Sequence, residues 1–439
     1  MRSRLLVAIL LLCFAVAAAS AAPPPLPDHL AADAAAIIAL SRNTSAQGWN
    51  RLALWVDSFG ARVSGSQQLE SALDFALDLM RKEGFDNVHD EPVMIPKWVR
   101  GEESLHMLSP YPKRMNFLGL GSSVGSGGAA INASVLLVHS FDELHARAAD
   151  AAGKIIVYNY VCDWSTKGGD YCYGQMVQYR YNGASEAAKV GAVAALVRSL
   201  TEYSLGTPHT GIQSYADGVK QIPAACITTE DADFLERMQQ RGADVVLSLY
   251  MEAQNFPMVQ SRNLVAEITG SLHPEQVVMF GGHVDSWDVG QGAQDDGAGF
   301  MLSFQALSLI KQLGLKPLRT IRLVGWVCEV TCFHPPAFLF PCHSAQLPPP
   351  HPTPPPQEFG GYGAEQYFKV HQGEVGNMSV AFESDLGVFT PEGLEFTGSD
   401  DAVAIMQQIM ALAAPLNASR VTGGGGNADS GPWGSAGVP

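Results

Sequence analysis

The densest chemistry in the sequence lies in Gly281-Gly282-His283-Val284-Asp285-Ser286-Trp287-Asp288, followed by Gly290-Gln291-Gly292-Ala293-Gln294-Asp295-Asp296-Gly297-Ala298-Gly299. His283 and Asp285 stand two residues apart at the end of an apolar run, so a strand there projects both side chains the same way. Imidazole with carboxylates is a hard to borderline donor set that suits Zn2+. Asp285 is placed to hold the ring of His283 through its other nitrogen. The glycines around Asp295 and Asp296 permit the close backbone approach that a carboxylate shared between two metal ions needs. A bare His-x-Asp is more often a solvated loop. The order of strand, His-x-Asp, glycine-flanked acid pair and helix argues for a site instead.

Gln276 to Phe280 reads as a buried strand, Phe300 to Leu313 as a helix and Arg319 to Trp326 as a second strand. That alternation predicts an α/β fold with a mostly parallel sheet and helices on both faces. Ligand sites in such sheets lie beyond the carboxyl ends of the strands, so polar residues there come under first suspicion. Upstream, Leu69, Leu73, Leu77 and Met80 recur at helical spacing up to Gly84. Between residues 105 and 255 the texture changes. Short β-rich runs (Val135 to His139, Lys154 to Tyr160, Ala192 to Val197, Ile222 to Ile227, Val245 to Tyr250) alternate with polar turns and an alanine-rich helix near Ser185 to Val190. This stretch reads as a β-rich α/β domain inserted into a first domain made of residues 45–104 and 256–439.

With these residues in place the sequence resembles the co-catalytic zinc exopeptidases of the M28 type. The resemblance runs through Arg51-Leu52-Ala53-Leu54, Arg100-Gly101-Glu102-Glu103-Ser104, Leu118-Gly119-Leu120-Gly121-Ser122-Ser123, Ser140-Phe141-Asp142-Glu143-Leu144, Pro208-His209-Thr210-Gly211-Ile212-Gln213 and the zinc segment itself. It implies a catalytic domain interrupted by a protease-associated domain, two zinc ions per site, and hydrolysis of small peptides at a chain end, as a carboxypeptidase or dipeptidase. Carried over residue by residue, it implies that His283 binds one zinc, Asp295 bridges both and Asp385 completes the first site. Glu329 becomes the general base, Glu358 a ligand of the second zinc, and Asp285 a catalytic residue through His283. It also implies a homodimer, secretion, and passage through endoplasmic reticulum, Golgi and lysosome. Two other readings stay open: a catalytically dead binding protein on the same scaffold, and an aminopeptidase of the same superfamily.

The family places its two glutamates side by side, whereas here Val330 follows Glu329 and the second glutamate is Glu358. Between them, residues 330–357 hold 10 of the chain's 27 prolines, so neither helix nor strand persists there. Removing these 28 residues would restore Trp326-Val327-Cys328-Glu329-Glu358-Phe359-Gly360-Gly361. A valine codon begins GT and a glutamine codon can end AG, so the stretch reads as a translated, unspliced intron. Cys332, His334, Cys342, His343 and His351 within it match no zinc spacing. The family's last zinc ligand, a histidine on a later loop, has no counterpart before Pro439. The expectation is an incomplete carboxyl end and impaired activity.

The chain has 439 residues, 27 basic against 43 acidic side chains, and a net charge of −16, which argues against a nucleic-acid partner. Met1-Arg2-Ser3-Arg4, the apolar run Leu5 to Ala18 and the small residues before Pro23 read as a signal peptide over residues 1–21. No later run is long and apolar enough for a membrane span. Sequons at Asn43, Asn132, Asn377 and Asn417 support glycosylation. Cys162 and Cys172 bracket a polar loop that suits a disulfide, with two unpaired thiols as the alternative; Cys226 reads as a buried thiol. Glu102 and Glu103 read as a solvated pair, and Asp429 and Trp433 are assigned no role.

Overall fold

The computed structural model describes residues 25–329, 361–385, 387, 389–425 and 428–439. Residues 1–21, read as a signal peptide, and the proline-rich stretch with Glu358 lie outside the described residues. The helix Gln67–Glu83 forms where the apolar spacing predicts it. Ser66 caps it by accepting from the Leu69 N–H, Gly84 ends it at φ 73°, and Leu69, Leu73, Leu77 and Met80 are buried. Its chain continues into β1 (Asp86–Val99), which sequence patterning did not single out because Pro92 and Pro96 interrupt the alternation. Both prolines are tolerated because β1 is an edge strand.

Residues 103–251 build an eight-stranded sheet from β2 (Glu103–Ser109), β3 (Lys113–Met115), β4 (Phe117–Gly119), β5 (Ile131–Val138), β6 (Ile155–Tyr158), β7 (Ala194–Arg198), β8 (Ala224–Ile227) and β9 (Val246–Met251), in the order β3-β2-β9-β5-β6-β7-β8-β4. β5 to β8 run parallel. Every residue of β6, β7 and β8 is buried, as expected of parallel strands covered on both faces. Cys226 sits there as a buried free thiol. Cys162 and Cys172 form a disulfide with Cα atoms 5.5 Å apart, joining the end of β6 to the start of the helix Gly169–Lys189.

The chain then returns to the first sheet through β10 (Gln254–Ile268), β11 (His273–His283), β12 (Arg319–Trp326) and β13 (Met378–Glu383), in the order β1-β10-β12-β11-β13. This sheet is mixed. β1 and β10 pair antiparallel, β10 meets β12 antiparallel, and β12, β11 and β13 run parallel. The parallel half carries the candidate site. The helix Ala298–Gln312 packs against it, burying Phe300, Phe304 and Leu307. Further on, β14 (Gly393–Phe396) and β15 (Arg420–Gly423) form a small parallel pair.

One apolar core spans both sheets, joining Leu73, Trp98, Leu105, Leu249, Phe300 and Leu323. The reading of Glu102 and Glu103 as a solvated pair needs correction. Glu102 is exposed, but the Glu103 side chain is only 12% exposed, 3.6 Å from Arg100, and accepts from the Gly119 N–H. Arg100 in turn grips both Asp288 oxygens at 2.7 and 2.8 Å, tying the second sheet to the loop after β11. Asn43, Asn132, Asn377 and Asn417 are all exposed. Among the described residues no helix is long and apolar enough to cross a membrane.

Candidate metal centre

His283 is the last residue of β11 and is fully buried. It pairs with Trp326 of β12, three residues before Glu329, and Gly281 pairs with Glu383 of β13, two residues before Asp385. Adjacent parallel strands therefore deliver His283, Glu329 and Asp385 to one edge, and Asp295 comes from the loop between β11 and the helix Ala298–Gln312. Each of the four offers one donor atom, and these atoms lie within 4.8 Å of one another. The Nε2 of His283 is 3.1 Å from Asp295 Oδ1, 3.2 Å from Glu329 Oε2 and 3.4 Å from Asp385 Oδ1.

The other ring nitrogen fixes which face of the imidazole is used. Nδ1 is 3.1 Å from the Asp285 carbonyl oxygen and 3.5 Å from its carboxylate. A proton on Nδ1, donated to that carbonyl, leaves the Nε2 lone pair aimed at the three carboxylates. Asp285 is not one of the converging donors. Its buried carboxylate accepts from the Cys328 N–H at 2.8 Å, where the chain turns through a left-handed φ of 60° to bring in Glu329. Asp285 thus joins the end of β11 to the segment that presents Glu329.

Asp295 and Asp296 are joined by a cis peptide and divide the work of the acid pair. The Asp295 side chain is 67% exposed and faces His283. Asp296 is buried and accepts from the N–H groups of His283 at 3.2 Å and Gly299 at 3.0 Å. This is where the glycines matter. A Cβ on Gly282 would lie 2.3 Å from Asp296 Oδ2, and one on Gly299 the same distance from Oδ1.

Charge at the site is lopsided. Burial opposes protonation of His283, but the Glu329 carboxylate and hydrogen bonds to Asp285, Asp295 and Asp385 outweigh it and hold the ring well above the usual histidine range. Burial raises Asp295, yet His283 pulls it below the usual carboxylate range. Burial pushes Asp296 well up. Three carboxylates drawn to one imidazole nitrogen, with no lysine or arginine among the four, fit a divalent cation. Nitrogen and oxygen donors together suit zinc.

Several participants escaped the sequence reading. Arg62 is fully buried, 221 residues before His283, and no local motif marks it. Its Nε donates to Val284 O, Nη1 to Gln291 O and Gly60 O, and Nη2 to Gly292 O, while its plane stacks on Trp55 at 4.3 Å. Burial lowers it to about 10 against the opposing pull of Asp285, Asp296 and Asp295. Asp429, assigned no role from sequence, is fully buried beside Glu383, whose Oε2 accepts from the Ser430 N–H at 2.9 Å. Burial first, then Asp385, pushes Glu383 up to about 8; burial and Glu383 push Asp429 well above the carboxylate range. Glu358 and the stretch 330–357 lie outside the described residues, so the structure places four of the five predicted metal and base residues together.

Comparison with known proteins agrees with this geometry. The description of peptidase family M28 matches residues 263–439. The chain is 48% identical over 410 residues to carboxypeptidase Q of Homo sapiens, covering 92% of this chain and 79% of that protein. To carboxypeptidase Q of Xenopus laevis it is 45% identical over 408 residues, covering 92% and 79%. Among solved structures, a peptidase M28 precursor from Shewanella amazonensis superimposes with a TM-score of 0.81 at 30% identity, covering 94% of this chain and 86% of that one. A zinc aminopeptidase from Bacillus subtilis shares the fold at a TM-score of 0.62 and 18% identity, over 89% and 82%. With nearly half its residues shared along nine-tenths of its length, and with histidine and acids gathered at the strand ends, the chain belongs to peptidase family M28 and is a peptidase.

Proposed function

We propose that the chain is a zinc metallo-exopeptidase acting as a carboxypeptidase or dipeptidase on small peptides. The observation that carries this is the convergence of His283, Asp295, Glu329 and Asp385 within 4.8 Å at the carboxyl edge of parallel strands. His283, Asp295 and Asp385 would hold one zinc, and Asp295 with Glu358 would hold the second. When bound, the metal supplies Lewis-acid activation of the carbonyl and the water. Glu329, whose Oε2 lies 3.2 Å from His283 Nε2, takes the water proton at Oε2 and returns it to the leaving amine as the peptide C–N bond breaks. Asp285 keeps the Nδ1 proton of His283 in place and, through the Cys328 N–H, keeps Glu329 beside it. Arg62 fixes the carbonyls of the loop that leads to Asp295.

Export through the secretory pathway is part of the proposal, supported by the leader-like residues 1–21, four exposed sequons and the Cys162–Cys172 disulfide. So is assembly as a homodimer, on the likeness to the carboxypeptidase Q proteins. The proline-rich stretch separates Glu329 from Glu358, and catalytic placement tolerates only about 0.5 Å, so the chain as written is proposed to be impaired. The test is to express the chain with and without residues 330–357 and follow dipeptide hydrolysis with and without a chelator. The account expects faster, chelator-sensitive turnover after deletion. Turnover that ignores the chelator would overturn it. Hydrolysis of amino-blocked but not carboxyl-blocked dipeptides assigns the carboxypeptidase reading over the aminopeptidase one.

A further inference from the structure

Arg180, on the helix Gly169–Lys189, is 1% exposed, yet two of its three nitrogens have no partner among the described residues. Its Nη1 donates to the Tyr173 hydroxyl at 2.8 Å and the Thr210 carbonyl at 3.3 Å, and lies 3.4 Å from His209 Nε2. Its Nε and Nη2 are buried with no partner among the described residues. These two nitrogens form one edge of the planar fork, the edge that mates side-on with both oxygens of a carboxylate. A buried guanidinium without a counter-charge is costly, so such an edge is an opening for an anion.

The surroundings favour the same ligand. The guanidinium lies flat on Gly211, where a Cβ would come within 2.4 Å of Cζ. His209 is neutral, pushed down to about 3 by burial and by Arg180, so its Nε2 accepts the Tyr173 O–H across 3.1 Å. Tyr173 is thereby committed to holding Nη1, and the adjacent Cys172 is anchored by the disulfide. Gln213, two residues past Gly211, is 1% exposed, and neither amide atom has a partner among the described residues. It lines a 410 Å³ cleft with Tyr181, Ile212 and Tyr362.

The cleft belongs to the metal centre's neighbourhood. Gly121, bridged to Ile212, leaves room for the ring of Trp287, four residues past His283, where a Cβ would be 2.2 Å away. We infer that Arg180, held by Tyr173 and accompanied by Gln213, receives the free terminal carboxylate of a peptide whose scissile bond lies at the metal centre. This rests on the exopeptidase reading above and makes Arg180 the residue that selects a carboxyl terminus. Both unpaired nitrogens are covered, so entry of the ligand requires a shift of the atoms over them.

The test is binding of glycylglycine and glycylglycinamide to the full chain in chelator, followed by calorimetry, for the unaltered protein, Arg180→Met and Arg180→Lys. The inference expects the acid to bind at least tenfold tighter than the amide, a ratio falling to within twofold of unity in Arg180→Met and at least fivefold in Arg180→Lys, which keeps the charge and loses the fork. Equal affinities in the unaltered protein, or a ratio unchanged in either folded variant, would overturn it. A structural role for Arg180 would lower the unfolding temperature without moving the ratio. Should Arg180→Met fail to fold, Arg180→Lys decides. Zinc-dependent hydrolysis of both dipeptides by the form lacking residues 330–357 separates the two proposals: turnover of neither counts against the exopeptidase reading and leaves the binding ratio decisive.

Discussion

Replacing Arg62 with Met keeps the side-chain length and the packing on Trp55 but removes the guanidinium's hydrogen bonds to Gly60 and to the loop after β11. Four carbonyl oxygens, at 2.8, 2.8, 2.8 and 3.1 Å, lose a charged donor. At about 1.5 kcal/mol each, the low end for bonds to charged groups, that is about 6 kcal/mol. Against it stands the cost of burying the guanidinium. Burial takes Arg62 to about 10, which corresponds to about 3 kcal/mol. The difference predicts a loss of about 3 kcal/mol, read from urea midpoints by tryptophan fluorescence. Because three of the four released carbonyls belong to Val284, Gln291 and Gly292, the damage falls mainly on the segment between His283 and Asp295. Zinc affinity should drop about 10- to 100-fold, as for other groups that support metal ligands. A variant within about 0.5 kcal/mol of the unaltered chain, with unchanged zinc affinity, would refute the clamp.

Glu329→Gln keeps the shape of the general base and removes its basicity. In the form lacking residues 330–357, kcat should fall about 10²- to 10⁴-fold while bound zinc is retained, checked by dipeptide hydrolysis and elemental analysis. His371 bonds Glu374 at 2.9 Å and Glu91 at 2.8 Å, which raises it to about 9, while His371 and Arg322 hold Glu374 down to about 2. The histidine contribution is complete below its ordinary value of 6.5 and is lost as pH rises through about 9; the Glu374 contribution is complete above 4.5 and is lost as pH falls toward 2. His371→Gln should therefore cost about 2 kcal/mol near pH 5.5 and much less at pH 9.5, measured by urea unfolding at each pH. Cys172→Ser opens a loop with a sequence separation of 10, and the chain-entropy estimate for that length is about 2.5 kcal/mol. A thermal midpoint unchanged by reductant in the unaltered chain would show that the bridge carries none of this.

What was legible in the sequence was local. His283 and Asp295 stand within 13 residues of each other, and the strand-to-helix pattern around them says which side chains share an edge. Glu329 and Asp385 were identified through the family resemblance, and the structure shows that each follows a strand of the parallel half. The long β1–β10 ladder was not legible: Pro92 and Pro96 break its alternation, and its partner strand lies about 170 residues away, where Met94 pairs with Gln260. Arg62, Asp429 and Arg180 were missed for a different reason. A buried polar residue has no pattern of its own, and its role depends on carbonyls, acids and glycines brought to it by distant segments. Glu103 shows the same limit from the other side, since a charged pair reads as surface until Arg100 and the Gly119 N–H are seen beside it.

The central claim is that His283, Asp295 and Asp385, from separate strands and a loop, hold zinc with Glu329 beside them as the base. Equilibrating the full chain with zinc, removing the excess and counting zinc per chain by elemental analysis tests it most directly, with His283→Ala alongside. The account predicts at least one zinc per unaltered chain and a clear loss in the variant. Zinc absent from the unaltered chain, or bound equally well without the His283 imidazole, would contradict it.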